Sequence, residues 1–267
     1  MRKWIFRVLI VIFGGILIFS AGQLINYYVH SRQQQQQFDE LAQLVQSSTT
    51  VPVTRPVPED PPQETEPTEP AETAPPVILP EYAELYGMNN HVAGWLQIED
   101  TRINYPVMQV PDAVDYYLQR DFYGNYSAHG CLYAREQCDL NRPSDNITVY
   151  GHAMKDGSMF GGLSSYRSES YWKEHRYIRF DTLYEHHTYE IFAVFVTTAH
   201  KVKGFAYHLF VDAQDQADFD SFIAQCKELA LYDTGLTPEY GDKLLTLSTC
   251  EYTQSDGRLV VMAKQIR

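Results

Sequence analysis

Hydrophobic and polar positions divide the chain into three stretches before any motif is considered. Residues 8–25 run for eighteen positions without a charge and are mostly apolar. At 1.5 Å rise per residue a helix of that length spans roughly 27 Å, the depth of a bilayer core. Arg2, Lys3 and Arg7 flank it on the N-terminal side, so the positive-inside rule keeps that end in the cytoplasm and sends the remainder outward. A cleaved signal sequence is the competing reading, since Ser20, Ala21 and Gly22 offer small residues to a peptidase. The apolar stretch is longer than a usual signal core, which favours an uncleaved anchor over residues 1–28.

Residues 29–50 are polar, with five consecutive glutamines at 33–37, yet Phe38, Leu41, Leu44 and Val45 keep helical spacing. A short juxtamembrane helix is expected there. Residues 51–80 hold ten of the fourteen prolines, mixed with Thr and Glu. Such a stretch cannot bury a core, and it reads as an extended spacer reaching on the order of 90 Å at about 3.1 Å per residue.

From residue 81 onward the pattern is globular. A helix is expected over 81–86, ended by Gly87. Strands are predicted over 95–98, 103–109, 130–134, 147–150, 177–181, 187–198, 244–249 and 259–266, separated by Gly, Pro, Asn and Asp clusters that read as turns. One helix interrupts the late strands, over about 212–232, with Phe219, Phe222, Ile223, Cys226, Leu229 and Ala230 on its apolar stripe. Eight strands with little helix predict a mostly β domain, a barrel or a sandwich.

Composition changes this picture in two places. Twenty Tyr and thirteen Phe suit a β-rich core. A net charge of −13 argues against a nucleic-acid partner, because phosphate binding needs clustered Lys and Arg. Six of the acids (Glu59, Asp60, Glu64, Glu66, Glu69 and Glu72) lie in the spacer, so the folded part is less acidic than the total.

Four cysteines in an exported chain could form two disulfides, but the spacing does not support that framework. Cys226 falls on the helical stripe and reads as core. Cys131 and Cys138 are close enough in sequence to pair. Cys250 has the most suggestive context. The string Thr246-Leu247-Ser248-Thr249-Cys250 is a strand ending in a cysteine, and Ser255, Asp256 and Gly257 supply a turn. Arg258 opens the following strand. A hairpin of this kind sets Cys250 and Arg258 at the same end of adjacent strands, where a permanently charged donor can bond a carbonyl oxygen that gains charge.

A hundred residues earlier, residues 146–150 read as a strand, and Gly151-His152 follow at its end before a loop with Gly157, Gly161 and Gly162. A histidine there is placed for access, and a thiol needs such a partner to be lowered from its pKa of about 8.5. Singly, each residue has a plainer reading: a buried small thiol, a surface histidine, a solvated arginine. His186 and His187 adjoin, but neighbours on a strand point to opposite faces and chelate poorly. No nucleotide-binding loop is present, and neither a cofactor nor a metal is expected.

The combination resembles the sortases. TLSTC, with Arg258 eight residues on, is similar to their active-site strand pair. Tyr150-Gly151-His152-Ala153-Met154, continuing through Gly157-Ser158-Met159-Phe160, resembles the histidine region of class B sortases. Gly94-Trp95-Leu96 and Ile103-Asn104-Tyr105-Pro106-Val107-Met108-Gln109 are similar to that class's opening strands. The helix before the cysteine strand also fits class B. The resemblance spans about 79–267. It departs from the family in Cys131 and Cys138, and in the length of the spacer.

The resemblance implies an eight-stranded sortase-type β-barrel at 81–267, with an N-terminal helix and a helix in the connection before the cysteine strand. It implies a cysteine transpeptidase that cleaves a C-terminal sorting motif of exported proteins, Asn-Pro-type favoured. A thioacyl intermediate then passes to an amine of the peptidoglycan precursor. Cys250 carries over as nucleophile, His152 as acid and base, and Arg258 as oxyanion partner. Ser248, Thr249 and Glu251 carry over, more weakly, as substrate-groove residues. A pilin lysine as acceptor, a cysteine protease or amidase with the same residues, and an inert adhesin on a stalk are the competing functions.

Overall fold

A computed structural model describes residues 2–49, 76–198, 204–251 and 256–266. The chain divides into two units, Met1–Glu40 and Leu41–Arg267. Helix α1, Arg2–Thr49, runs unbroken from the apolar stretch through the glutamines. Its apolar segment is exposed along its length, including Leu9, Ile10, Phe13, Leu17, Phe19 and Ile25. Among the described residues it is the one helix long and apolar enough to cross a membrane, and a signal sequence would have the same character. Most of the proline-rich stretch, 51–75, lies outside the described residues.

Helix α2, Pro80–Met88, precedes the strands. Proline at its first position costs nothing, since the missing N–H would have no helical partner there. The helix passes through Gly87 rather than stopping at it, because the Asn89 N–H still reaches the Leu85 carbonyl. Eight strands follow: β1 Val92–Gln97, β2 Asn104–Met108, β3 Leu132–Ala134, β4 Asn146–Tyr150, β5 Tyr177–Thr182, β6 Thr188–Thr198, β7 Leu244–Glu251 and β8 Gly257–Gln265. They close into a barrel in the order β1-β2-β3-β4-β7-β8-β6-β5. All eight predicted strands are present, with no end shifted by more than three residues.

Two neighbouring pairs are parallel, β2 with β3 and β4 with β7. This decides where chemistry can sit. Parallel β4 and β7 end at the same rim, and β8, antiparallel to β7, begins there. β6 is antiparallel to β8 and ends at that rim as well, with Thr197 opposite Arg258.

Helix α4, Gln216–Leu229, follows a short α3, Glu169–Glu174, and lies in the connection before β7. It is shorter than the predicted 212–232. Asp215 caps its start by accepting the Asp218 N–H, and the Leu231 N–H is drawn to the Val194 carbonyl after its end. Phe219, Phe222, Ile223 and Cys226 pack on Phe192, Phe195, Leu244, Val260 and Met262. Each fully buried side chain of this size stabilises the fold by about 1.5–3 kcal/mol. Leu244 joins this cluster, Thr246 and Ser248 on the same face bond Asn146 and Tyr207, and β7 is buried at every position from Leu244 to Thr249. All four cysteines are free thiols: Cys226 is core as expected, and Cys131 and Cys138 are each buried and unpaired.

Candidate active site

Successive strand residues point to opposite faces, so Cys250 shares a face with Leu244, Thr246 and Ser248, the side on which α4 packs. It is half-buried at the end of β7 and lies directly opposite Arg258 in the antiparallel ladder. The two positions sum to the same register as every other pair of β7 and β8, so no bulge intervenes. Residues paired this way have Cβ atoms about 4.5–5.5 Å apart. The Arg258 guanidinium donates to the Gly257 carbonyl at 2.9 Å, which holds its stem at the turn and leaves other N–H groups to bond elsewhere. Asp256 adopts the left-handed conformation (φ 55°) before Gly257. Residues 252–255, Ser255 included, lie outside the described residues.

His152 reaches the same place by a separate route. Tyr150 pairs with Ser248 in the parallel ladder, and the Gly151 N–H continues it to the Ser248 carbonyl. Two residues on, His152 is level with Cys250. Thr249 Oγ1 donates to the Gly151 carbonyl at 2.7 Å, tying the end of β4 to the cysteine strand. Glycine is required at 151, where a Cβ would collide with Leu132 Cδ2 and the Phe160 ring. His152 Nε2 lies 2.7 Å from the Leu118 carbonyl oxygen. A carbonyl only accepts, so Nε2 carries the hydrogen and Nδ1 is the nitrogen that gains or loses a proton.

A cavity of about 690 Å³ opens beside these residues. Cys250, His152 and Arg258 line one side of it, with Leu118, Tyr133, Tyr150 and Tyr207 around the rest. Tyr207 arrives on a 3-10 turn, Tyr207–Leu209, in the connection from β6 to α4. Its hydroxyl is 2.6 Å from Ser248 Oγ, and burial pushes that phenol above its ordinary range. Burial, with a bond to the Asp115 carboxylate at 2.7 Å, likewise pushes Tyr133 well up. His208 is lowered, first by burial and then by the nearby Arg135 and Arg258.

Of the predicted groove residues, Ser248 and Thr249 line this cavity but are nearly buried, with hydroxyls engaged by Tyr207 and Gly151. Glu251 closes β7 opposite Gly257, and its side chain lies outside the described residues. Sequence reasoning missed Leu118, Tyr133 and Tyr207. No local pattern marks them, because long crossovers bring each to the rim.

A family model described as the Sortase domain matches residues 96–266. Sortase B of Listeria monocytogenes is 31% identical over 193 residues, covering 71% of this chain and 75% of the relative. Sortase B of Staphylococcus aureus is 28% identical over 192 residues, covering 71% and 76%. Among solved structures, sortase B from B. anthracis superposes with a TM-score of 0.71 at 30% identity, covering 90% of this chain and 99% of that one. The barrel with a cysteine at its rim is thus that of a cysteine transpeptidase fold. The chain belongs to the sortase family, and its relatives place it in class B.

Proposed function

We propose that Cys250, His152 and Arg258 are the catalytic set, and that the chain joins exported proteins to an amine of the peptidoglycan precursor. The observation that carries this reading is the convergence at one rim: Cys250 opposite Arg258, with His152 level with both. In the first half-reaction the Cys250 thiolate attacks the carbonyl carbon of the scissile bond, and the oxygen takes up the electron pair. Arg258 donates to that oxygen as charge develops. As the tetrahedral intermediate collapses, the C–N bond breaks and His152 gives its Nδ1 proton to the leaving amine. The product is a thioacyl on Cys250.

In the second half, an incoming amine attacks the thioacyl carbon, His152 takes the proton, and the C–S bond breaks to return the thiolate. The cavity lined by Tyr150, Tyr207 and Leu118 suits the acyl side of a peptide, whose backbone and apolar side chains need aromatic walls. An Asn-Pro-type sorting motif is the donor favoured by kinship with class B. Residues 1–28 act as anchor, 29–50 as a juxtamembrane helix and 51–80 as spacer, and they hold the catalytic domain, 81–267, outside the membrane.

The full chain in detergent micelles, incubated with quenched fluorescent Asn-Pro and Leu-Pro peptides with and without amine acceptors, tests this. Cys250-dependent cleavage with the acceptor joined to the donor is expected, read by mass spectrometry beside Cys250→Ala. Free acid alone, whatever amine is supplied, would make the enzyme a hydrolase. Turnover unaffected by Cys250→Ala would remove the proposal.

A further inference from the structure

His152 is supported from two segments, and a buried histidine, His129, lies between them. The Leu118 carbonyl that takes the His152 Nε2 hydrogen belongs to the 3-10 turn Tyr116–Gln119. Residues 127–131 run back along this turn. The Ser127 N–H donates to the Gln119 carbonyl, and the Cys131 N–H donates to the Tyr117 carbonyl. Between them Gly130 is left-handed (φ 60°), and a Cβ there would collide with the Tyr117 and Leu118 carbonyls. The place of the Leu118 carbonyl is therefore set by 127–131.

The second support is the loop that follows His152. The Phe160 N–H donates to the His152 carbonyl, and a bridge between Ala153 and Met159 closes the loop. Asp156 stands at its tip. One carboxylate oxygen, Oδ1, accepts from the Ser158 N–H and hydroxyl, and Arg102 in the β1–β2 connection donates to the Asp156 carbonyl at 2.7 Å. The other oxygen, Oδ2, lies 3.7 Å from His129 Nε2.

His129 is 5% exposed, whereas the Asp156 side chain is 31% exposed. Burial holds the His129 imidazole below its ordinary pKa against the pull of Asp156, and the nearby His152 lowers it further. It is thus neutral at pH 7. A carboxylate only accepts, so the hydrogen that suits Asp156 is on Nε2.

Resting on the catalytic reading above, we infer that His129 is a positioning residue for His152. Through Asp156 it ties the loop after His152 to the residues that fix the Leu118 carbonyl, so the two supports of the imidazole keep one spacing. Neither His129 nor Asp156 lines the cavity beside Cys250. The tie therefore acts on the rate of proton transfer rather than on donor binding.

The test uses the full-length protein in micelles with an amide donor, read by single-turnover acylation. Asp156→Asn keeps an oxygen for Ser158 and replaces Oδ2 with an amide that cannot accept from His129. It should lower the acylation rate constant roughly threefold to tenfold, the loss of one modest interaction. The donor concentration for half-maximal rate should stay within about twofold. His129→Gln retains an N–H donor and should recover part of what His129→Leu loses. His129→Leu combined with Asp156→Asn should be no slower than the slower single variant, because the two groups share one contact. Nitrogen-15 spectra of the histidines should show one His152 tautomer in the wild type, with its hydrogen on Nε2. A second population with the hydrogen on Nδ1 should appear in Asp156→Asn and in His129→Leu.

Wild-type acylation by Asp156→Asn with an unchanged His152 tautomer would overturn the assignment. Losses that multiply in the double variant would mean that the two side chains act apart, and would overturn it as well. A loss that follows only the folded fraction, measured by thermal denaturation, would make His129 a purely structural residue, with the same consequence. Absence of any Cys250 adduct in the wild type would instead defeat the catalytic reading, and the nitrogen-15 comparison would still decide whether the tie sets the His152 ring.

Discussion

Cys250 and Arg258 are direct partners across the β7–β8 ladder, one pair before its last described pair, Glu251 with Gly257. The relationship is set by the register of the two strands. Both side chains project from one face at one rim, and the guanidinium is anchored to the Gly257 carbonyl.

Loss of Arg258 should therefore act on the charge-developing step. Arg258→Ala is expected to lower the rate of thioacyl formation by about 10²–10³-fold, the usual effect of removing one oxyanion donor. Arg258→Lys should recover only part of it, since an ammonium lacks the planar fork. Single-turnover acylation followed by mass spectrometry measures both.

The Leu118 carbonyl fixes the His152 tautomer. In the neutral protein, the nitrogen-15 shifts of His152 should show a hydrogen on Nε2 and a lone pair on Nδ1. The opposite tautomer would contradict the proton route proposed here. His152→Ala should slow cleavage of an amide donor by about 10²–10⁴-fold, and a donor with a better leaving group should suffer less.

Gly151→Ala places a methyl against Leu132 and Phe160. Overpacking of this kind costs about 1–3 kcal/mol, and it also displaces His152 from the level of Cys250. A lowered Tm with a larger proportional loss of acylation is the expected outcome.

Tyr207→Phe removes the partner of a buried hydroxyl on the cysteine strand. Denaturant titration should show a loss of about 0.5–1.5 kcal/mol. Ser248→Ala combined with Tyr207→Phe should cost less than the sum of the single changes, because the two groups share one bond.

At the opposite end of β4 and β7, Asp145 accepts from Lys243 at 2.8 Å and from the Ala213 N–H at 3.0 Å. Burial alone would raise its pKa, yet these bonds and the lysine charge leave it below the ordinary carboxylate value. A depressed folded-state pKa gives stability that is present above the unfolded value, about 3.9, and is lost as pH falls through the folded one. Asp145→Asn should flatten that acid limb in denaturation curves taken at several pH values, and leave their shape near neutrality unchanged.

The sequence by itself determined what short periods can encode. Strand-like runs bounded by turn clusters marked all eight strands, the stripe at Phe219, Phe222, Ile223 and Cys226 marked α4, and the Asp256-Gly257 turn set Cys250 near Arg258. Each depends on residues a few positions apart, where the backbone period decides which side chains share a face. Boundaries were less legible: α2 overruns Gly87, α4 is shorter than the predicted 212–232, and α3 with the turn at Gly161–Arg167 gave no signal above its loop-like composition.

Only the tertiary structure decided which strand ends meet. The parallel ladder of β4 on β7 joins residues nearly a hundred positions apart, and it alone puts His152 beside Cys250. The same closure brings the Leu118 carbonyl and Tyr207 to the rim. It also buries Cys131 and Cys138 as separate thiols despite their nearness in sequence. The barrel selects those neighbours because it must cover both faces of β7 and satisfy every strand edge, a condition on the whole chain that no local pattern contains.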